Sequence, residues 1–173
     1  LLAGDIIHHS GGWTGLLILK DNVQGIRADT IIYDKPVINF MLSYFMLMGI
    51  HHINIVCGEE DRAFIKKIYG SGSKIGLKLN YWDTIHEDKY KNNTSNVMIV
   101  LGMTFIYGVD QSRFFQKAMM DKSKTTVMSL PKKKLNSPAL IYYDSDKKVV
   151  TSEDGEKLRT QYDYYQIPII FCP

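Results

Sequence analysis

The sequence contains few cysteines, and this scarcity excludes a fold held together by several disulfides. Only Cys57 and Cys172 are present, and both lie in apolar runs, "NIVCG" and "IIFCP". Small disulfide-dependent domains use many more cysteines, and reduced cysteines are typical of the cytoplasm. We therefore predict two reduced, buried or half-buried thiols in a cytoplasmic protein, and we find no sequence support for a disulfide between them.

Long apolar runs and a strong charge of one sign are lacking as well. No apolar run approaches the roughly 18 residues of a membrane span, and the first residues show no pattern of a signal peptide. The formal net charge is only +3, and apart from Lys132–Lys134 the basic residues are interspersed with acids. A nucleic-acid-binding domain would show a concentrated basic footprint. The sequence thus predicts neither a membrane nor a nucleic-acid partner.

What the sequence does contain is enough apolar material for one core. The chain has 173 residues, of which 45% are hydrophobic, and this size is typical of a single domain. The first apolar run with the pattern of a strand begins at Thr14. We therefore divide the chain into an amino-terminal extension, residues 1–13, and a single domain, residues 14–173.

Strand and helix patterns alternate through the first two thirds of the chain. Apolar runs and alternation predict strands at 14–20, 52–58, 76–83, 97–102, 125–131, 139–152 (as a hairpin) and 164–171. Helical spacing predicts helices at 37–48, 59–70 and 110–122, and loops are expected at 22–36 and 84–96. This alternation favours a mostly parallel α/β sheet, and the strand-rich end indicates antiparallel additions.

Four segments form an ordered set of motifs. They are "IIYDKPVINFMLSYFMLMGIHHINIV", "GSGSKIGLKLNYWD", "VMIVLGMTFIYG", and "EKL" followed by "YYQIPIIFC". The set resembles the sugar-1-phosphate nucleotidyltransferases, above all the glucose-1-phosphate thymidylyltransferases, and it covers most of residues 15–173 in the right order. The resemblance implies an α/β fold with a Rossmann-like, doubly wound, mostly parallel sheet and antiparallel additions near the C-terminus.

The resemblance also implies a demanding reaction, in which a sugar-1-phosphate oxygen attacks the α-phosphate of a nucleoside triphosphate. Two anions meet, so the site needs Mg²⁺, basic residues and backbone amides. The family supplies a glycine-rich loop after the first strand, a base-holding "G-L-A-Q-A" segment and a metal-ligating aspartate in "L-G-D-N". Here "LILKDNVQGIRAD" contains one glycine, residues 84–96 contain no base-holding counterpart, and Met103 aligns with the aspartate.

The remaining alignment implies a degenerate site. A thioether is a soft, weak ligand, whereas Mg²⁺ takes hard oxygen ligands, so Met103 marks a degenerate metal position. Arg27 aligns with a phosphate-contacting lysine of the family, Lys35 lies in the "Y-D-K-P" turn, and Lys157 keeps a second basic position. The resemblance therefore implies residual phosphate or sugar-phosphate contacts at Arg27, Lys35 and Lys157, with no catalytic residue, no bound metal and no cofactor.

Other residue types that can carry chemistry show weaker patterns. The histidine pairs 8–9 and 51–52 lack partners at ligand spacing, so surface positions are favoured over metal binding. Lys132–Lys134 fits a solvated loop better than a phosphate site. Tyrosines 162, 164 and 165 fit a half-exposed strand or an interface better than a base-stacking platform.

Three functional hypotheses remain open on these grounds. The first is a non-catalytic binding or regulatory protein on a nucleotidyltransferase scaffold, which pairs with itself or with an enzyme of sugar or natural-product biosynthesis and binds nucleotides or sugar phosphates weakly. The alternative is an active sugar-1-phosphate nucleotidyltransferase that uses Mg²⁺ in an atypical site. The third is a new chemistry in the altered cleft that uses His86, Glu87 or Asp88.

Overall fold

The computed structural model describes residues 12–20, 26–86, 96–103, 111–121, 125–131, 140–143, 149–150 and 163–173. In chain order the strands are β1 (Trp13–Ile18), β2 (Ile31–Ile32), β3 (Lys35–Pro36), β4 (His52–Val56), β5 (Lys78–Trp82), β6 (Asn96–Leu101), β7 (Thr126–Pro131), β8 (Leu140–Tyr143), β9 (Val149–Val150) and β10 (Asp163–Cys172). The helices are α1 (Val37–Leu47), α2 (Glu59–Tyr69) and α3 (Gln111–Met120). Among these residues, no helix is long and apolar enough to cross a membrane.

One half of the main sheet is parallel and is centred on β1. β4 and then β5 lie on one side of β1, and β6 lies on the other side. The chain therefore builds the sheet outward from β1 in one direction and then in the other. This order confirms the predicted Rossmann-like, mostly parallel α/β sheet.

The other half of the sheet is antiparallel and is centred on β10. This long strand pairs with β6 through residues 169–172, with β7 through residues 164–166 and 170–171, and with β8 through residues 163–165. The pairing with β7 is irregular between Gln166 and Ile170, where the register shifts. β9 pairs antiparallel with β8 at the outer edge, as the predicted hairpin requires. The antiparallel additions near the C-terminus are thus confirmed.

The helices cover one face of the sheet and create the main core. Apolar positions of α1 recur at helical spacing, so that Ile38, Met41 and Phe45 are all fully buried. Ile65 of α2 and Phe115 of α3 join the same cluster, together with alternate residues of the strands. The opposite face of the sheet carries a smaller buried cluster of Leu16, Val56 and Val97.

The start of β1 and the segment 22–36 differ from the sequence prediction. β1 begins at Trp13, one residue before the start of the predicted strand, and the Trp13 indole is buried and meets Phe171 edge-on at a ring-centroid distance of 6.0 Å. The segment 22–36 was predicted as a loop, yet it contains the two-stranded hairpin β2–β3. Each strand of the hairpin has only two paired residues, so the sequence shows no alternation of apolar and polar residues that would predict it. Its turn places Tyr33 at a φ of 61°.

Candidate functional site at the carboxyl edge of the sheet

The carboxyl ends of β1 and β6 lie side by side at the point where the strand order reverses. In open α/β sheets this point is where a crevice forms and ligands bind. Here Ile18 pairs with Leu101 at the end of the two strands, and the Gly102 amide then donates a hydrogen bond to the Ile18 carbonyl at 2.7 Å. Gly102 adopts a φ of 68°, which turns the chain directly after the strand.

Met103 follows that turn and is buried. Its side chain is 3% exposed and belongs to the main core cluster, as does Leu19 after β1. Both strand ends therefore place an apolar side chain at this edge, where the resemblance implies a metal-ligating carboxylate. A buried thioether does not fit Mg²⁺, which prefers oxygen ligands. The part of the chain that the structure describes contains no group of three or more histidine, cysteine or acidic residues that could hold a metal ion.

Arg27 is the one residue of the predicted phosphate contacts that has charged partners in the described structure. Its Nε donates to Asp29 Oδ1 at 3.2 Å, and its Nη1 pairs with the Glu60 carboxylate. The hydrogen bond to Asp29, followed in size by the one to Glu60, raises the pKa of Arg27 above its ordinary value. The side chain therefore keeps its charge. The guanidinium is half-exposed, but two carboxylates already neutralise it.

The backbone around Arg27 is fixed to the first turn of α2. The Ala28 amide donates to Asp61 Oδ1 at 2.9 Å, and Ala28 itself is fully buried. Within the segment, Thr30 Oγ1 accepts from the Arg27 amide at 3.1 Å. These contacts hold the backbone of Arg27 beside α2, where its side chain pairs with Glu60.

The other predicted basic contacts are not brought to a common site by the described residues. Lys35 is exposed and lies in β3, opposite Ile32 of the hairpin. Lys157 lies outside the described residues, as do Lys132–Lys134 and the histidine pair 8–9. The predicted contacts at Lys35 and Lys157 stay predictions.

A polar network that the sequence did not suggest joins three strand ends. Arg62 of α2 pairs with the Asp83 carboxylate beyond β5 and donates to the Cys57 carbonyl beyond β4 at 3.4 Å. Lys20, beyond β1, donates to the Asp83 carbonyl at 3.1 Å. Burial raises the pKa of the Cys57 thiol, and a hydrogen bond with Arg62 opposes that effect. The charged side chains at the edge beside β4 and β5 are therefore bound to other groups of the same chain.

Histidines and tyrosines contribute structural contacts in the described part of the chain. His51 and His52 are exposed, and His51 Nδ1 lies 3.0 Å from the Gly76 carbonyl oxygen. The His86 ring meets Trp82 edge-on at 5.1 Å, whereas Glu87 and Asp88 lie outside the described residues. Tyr164 and Tyr165 lie in β10, as predicted, and Tyr162 falls outside the description.

Comparisons with known proteins agree with the motifs. The chain is 26% identical to the glucose-1-phosphate thymidylyltransferase of Neisseria meningitidis over 132 residues, which cover 71% of this chain and 46% of that protein. It is 24% identical to the enzyme of the same name from Mycolicibacterium smegmatis over 151 residues, which cover 81% of this chain and 51% of that protein. The chain is nucleotidyltransferase-like.

The fold of the nucleotidyltransferase-like chain has a match among solved structures. A Bacillus anthracis protein assigned as a glucose-1-phosphate thymidylyltransferase superposes with a TM-score of 0.67 at 14% identity, over 92% of this chain and 71% of that chain. No family model matches the sequence. The nucleotidyltransferase-like chain spans about half the length of the curated relatives that it matches.

Sequence reasoning identified some residues of this edge and missed others. Met103 and Arg27 were singled out because the resemblance aligns them with functional positions of the family, and those roles stay predictions. Asp83, Arg62 and Glu60 were missed, since charged residues that follow a strand or open a helix are common and give no specific signal. Acids in the first turn of a helix also fit the helix dipole, and only the fold shows that Glu60 and Asp61 of α2 hold Arg27 and the Ala28 amide.

Proposed function

We propose that this nucleotidyltransferase-like chain is a non-catalytic binding or regulatory protein. The observation that carries the proposal is the end of β6, where Met103 is buried in the apolar core, at a position that the resemblance assigns to a metal-ligating aspartate. Nucleotidyl transfer needs charge neutralisation at the α-phosphate, and a buried thioether supplies none. The sequence "LILKDNVQGIRAD", with its single glycine, adds a second support, because it offers no run of glycine amides.

The charges of the described edge support the same proposal. Arg27 and Arg62, two cations at this edge, are each paired with carboxylates of the chain itself, and Lys20 beyond β1 donates to the Asp83 carbonyl. A nucleoside triphosphate would have to compete with those carboxylates. Loss of one electrostatic element costs roughly 10²–10³ in rate, so the combined losses should leave no measurable transfer.

The test is a pyrophosphate-release assay. The chain is incubated with Mg²⁺, thymidine triphosphate and glucose-1-phosphate, and the Neisseria meningitidis relative serves as the positive control. We expect release from the relative and none above background from this chain. Release that depends on both Mg²⁺ and glucose-1-phosphate would overturn the proposal and establish the alternative, an active sugar-1-phosphate nucleotidyltransferase with an atypical site.

The proposed function also includes a protein partner, a weakly bound phosphate-bearing ligand and a cytoplasmic location. We propose pairing with a second copy or with an enzyme of sugar or natural-product biosynthesis, and weak binding of nucleotides or sugar phosphates through residues such as Arg27. Exposed apolar side chains support an interface, among them Tyr33, which is 86% exposed, and Leu47, which is 61% exposed. Cys57 and Cys172 are free thiols, which supports the proposed cytoplasmic location.

A further inference from the structure

Arg27 lies against the first turn of α2, at the carboxyl edge of the sheet. The segment 26–30 lies in the connection from β1 to α1, and its backbone is bound to the first turn of α2, which follows β4. The ends of β1 and β4 are neighbours at the carboxyl edge. A guanidinium at such an edge is well suited to a phosphate, because it offers several donors and a permanent charge.

In this chain the guanidinium is already occupied. Glu60 of α2 and Asp29 of the same segment both pair with it, and Asp61 lies one residue further along α2, where it accepts the Ala28 amide. A phosphate approaching Arg27 would meet three carboxylates and one guanidinium. The carboxylate of Glu60 therefore takes the place that an anionic ligand would otherwise fill.

We propose that the Arg27–Glu60 pair is an autoinhibitory contact, in which Glu60 keeps phosphate-bearing ligands from Arg27. The backbone beside the contact is held in place, because Ala28 is buried and its amide donates to Asp61 of the same turn as Glu60. The contact can also be displaced, since the Glu60 side chain is 78% exposed and exposed ion pairs are weak. This inference deepens the proposed function, because it rests on the same edge and names what limits phosphate binding there.

The experiment measures binding of inorganic pyrophosphate by calorimetry at low ionic strength. Glu60→Gln keeps the size of the side chain and removes its charge, so pyrophosphate should bind about fivefold tighter than to the wild type. The gain should shrink at high salt, because the groups involved are exposed. In the double variant Arg27→Gln/Glu60→Gln the gain should disappear.

Glu59→Gln is the matched control. Glu59 is the neighbouring acid of the same turn, is equally exposed, and lies 3.7 Å from Arg62 instead of meeting Arg27. It should change pyrophosphate affinity less than about twofold. Circular dichroism and thermal melting establish that each variant stays folded, and all of these changes lie on exposed side chains.

Two results would overturn the inference. One is an unchanged affinity in Glu60→Gln, or an equal gain in Glu59→Gln, which would reflect net charge alone. The other is tight pyrophosphate binding by the wild type that Arg27→Gln abolishes, because Arg27 would then be open to anions. Both readouts are affinities. They are independent of the pyrophosphate-release assay. A negative result in the affinity measurement therefore leaves the proposed function standing, and pyrophosphate release in the assay would not decide whether Glu60 blocks Arg27.

Discussion

Met103 is the buried residue that follows the end of β6. It is buried in the main core cluster. Met103→Asp should lower the free energy of unfolding by about 2–4 kcal/mol at pH 7, because it places an ionised carboxylate among apolar side chains. The loss should be smaller near pH 4, where the introduced carboxyl group becomes neutral. Chemical denaturation at the two pH values measures both losses.

Met103→Leu is the control for this change, since it preserves an apolar side chain of similar volume and should cost less than about 1.5 kcal/mol. Mg²⁺ should leave the Tm of the Met103→Asp variant unchanged. A rise of several degrees with Mg²⁺ would show that other oxygen ligands lie near this position, and it would favour the alternative function of an active transferase.

Gly15, in the middle of β1, is a residue whose missing side chain permits the packing of α1. A Cβ atom there would lie 2.8 Å from the Phe45 ring and 3.2 Å from Ile53. Phe45 is fully buried and cannot move aside freely. Gly15→Ala should therefore destabilise the fold by about 1–3 kcal/mol, measured as a shift in the denaturant midpoint. Gly58→Ala, where a Cβ would meet nothing within 4 Å, should cost well under half as much, and similar losses in both variants would contradict the packing argument.

At the scale of elements, Tyr81 joins β5 to the end of α2. Its hydroxyl donates to the Gly70 carbonyl at 2.7 Å, and burial raises the pKa of Tyr81 to about 12. A tyrosine in the unfolded chain ionises near pH 10, so the unfolded state releases its proton first as the pH rises. The stabilisation linked to this group is complete below about pH 10 and is lost towards about pH 12.

Tyr81→Phe tests this linkage. The variant should be less stable at pH 7 by about 1 kcal/mol, since it lacks the hydrogen bond, but it should lose less stability than the wild type between pH 8 and pH 11. Urea denaturation across this range gives both quantities. Tyr33→Phe, a change at an exposed side chain, controls for the removal of one tyrosine hydroxyl. If the wild type and Tyr81→Phe had parallel profiles, the pKa of Tyr81 would not be raised in the folded state.

The helices show how far local patterns reach. α1 was predicted from Val37 to a stop at Gly49, and the structure confirms it because the apolar spacing matches one buried face. α2 was predicted at residues 59–70, and the structure confirms a helix there with acids in its first turn and lysines in its last turn, which the helix dipole favours. The hairpin β2–β3 was missed. Two pairs of residues carry no periodic signal, and the turn uses Tyr33 at positive φ, where glycine or asparagine is the usual residue.

At the scale of the whole molecule, the ordered motifs predicted a mostly parallel sheet with antiparallel additions, and the strand order confirms it. This prediction worked because strands buried on both faces leave continuous apolar runs, such as "GLLIL" and "VMIVL". The role of β10 was not predictable to the same depth. It pairs with β6, β7 and β8 at once, and those pairings join residues far apart in the chain.

Composition and motif order alone predicted most of the elements, their sequence along the chain and the likeness to nucleotidyltransferases, and the resemblance predicts a degenerate metal position at Met103. These are local properties, which residue spacing and residue type predict. The tertiary structure alone decided that Met103 is buried and that Arg27 is paired with Glu60. Glu60 is 33 residues away along the chain, and no local pattern tells a free guanidinium from a neutralised one. Charge pairing depends on which strand ends become neighbours, and folding sets that arrangement.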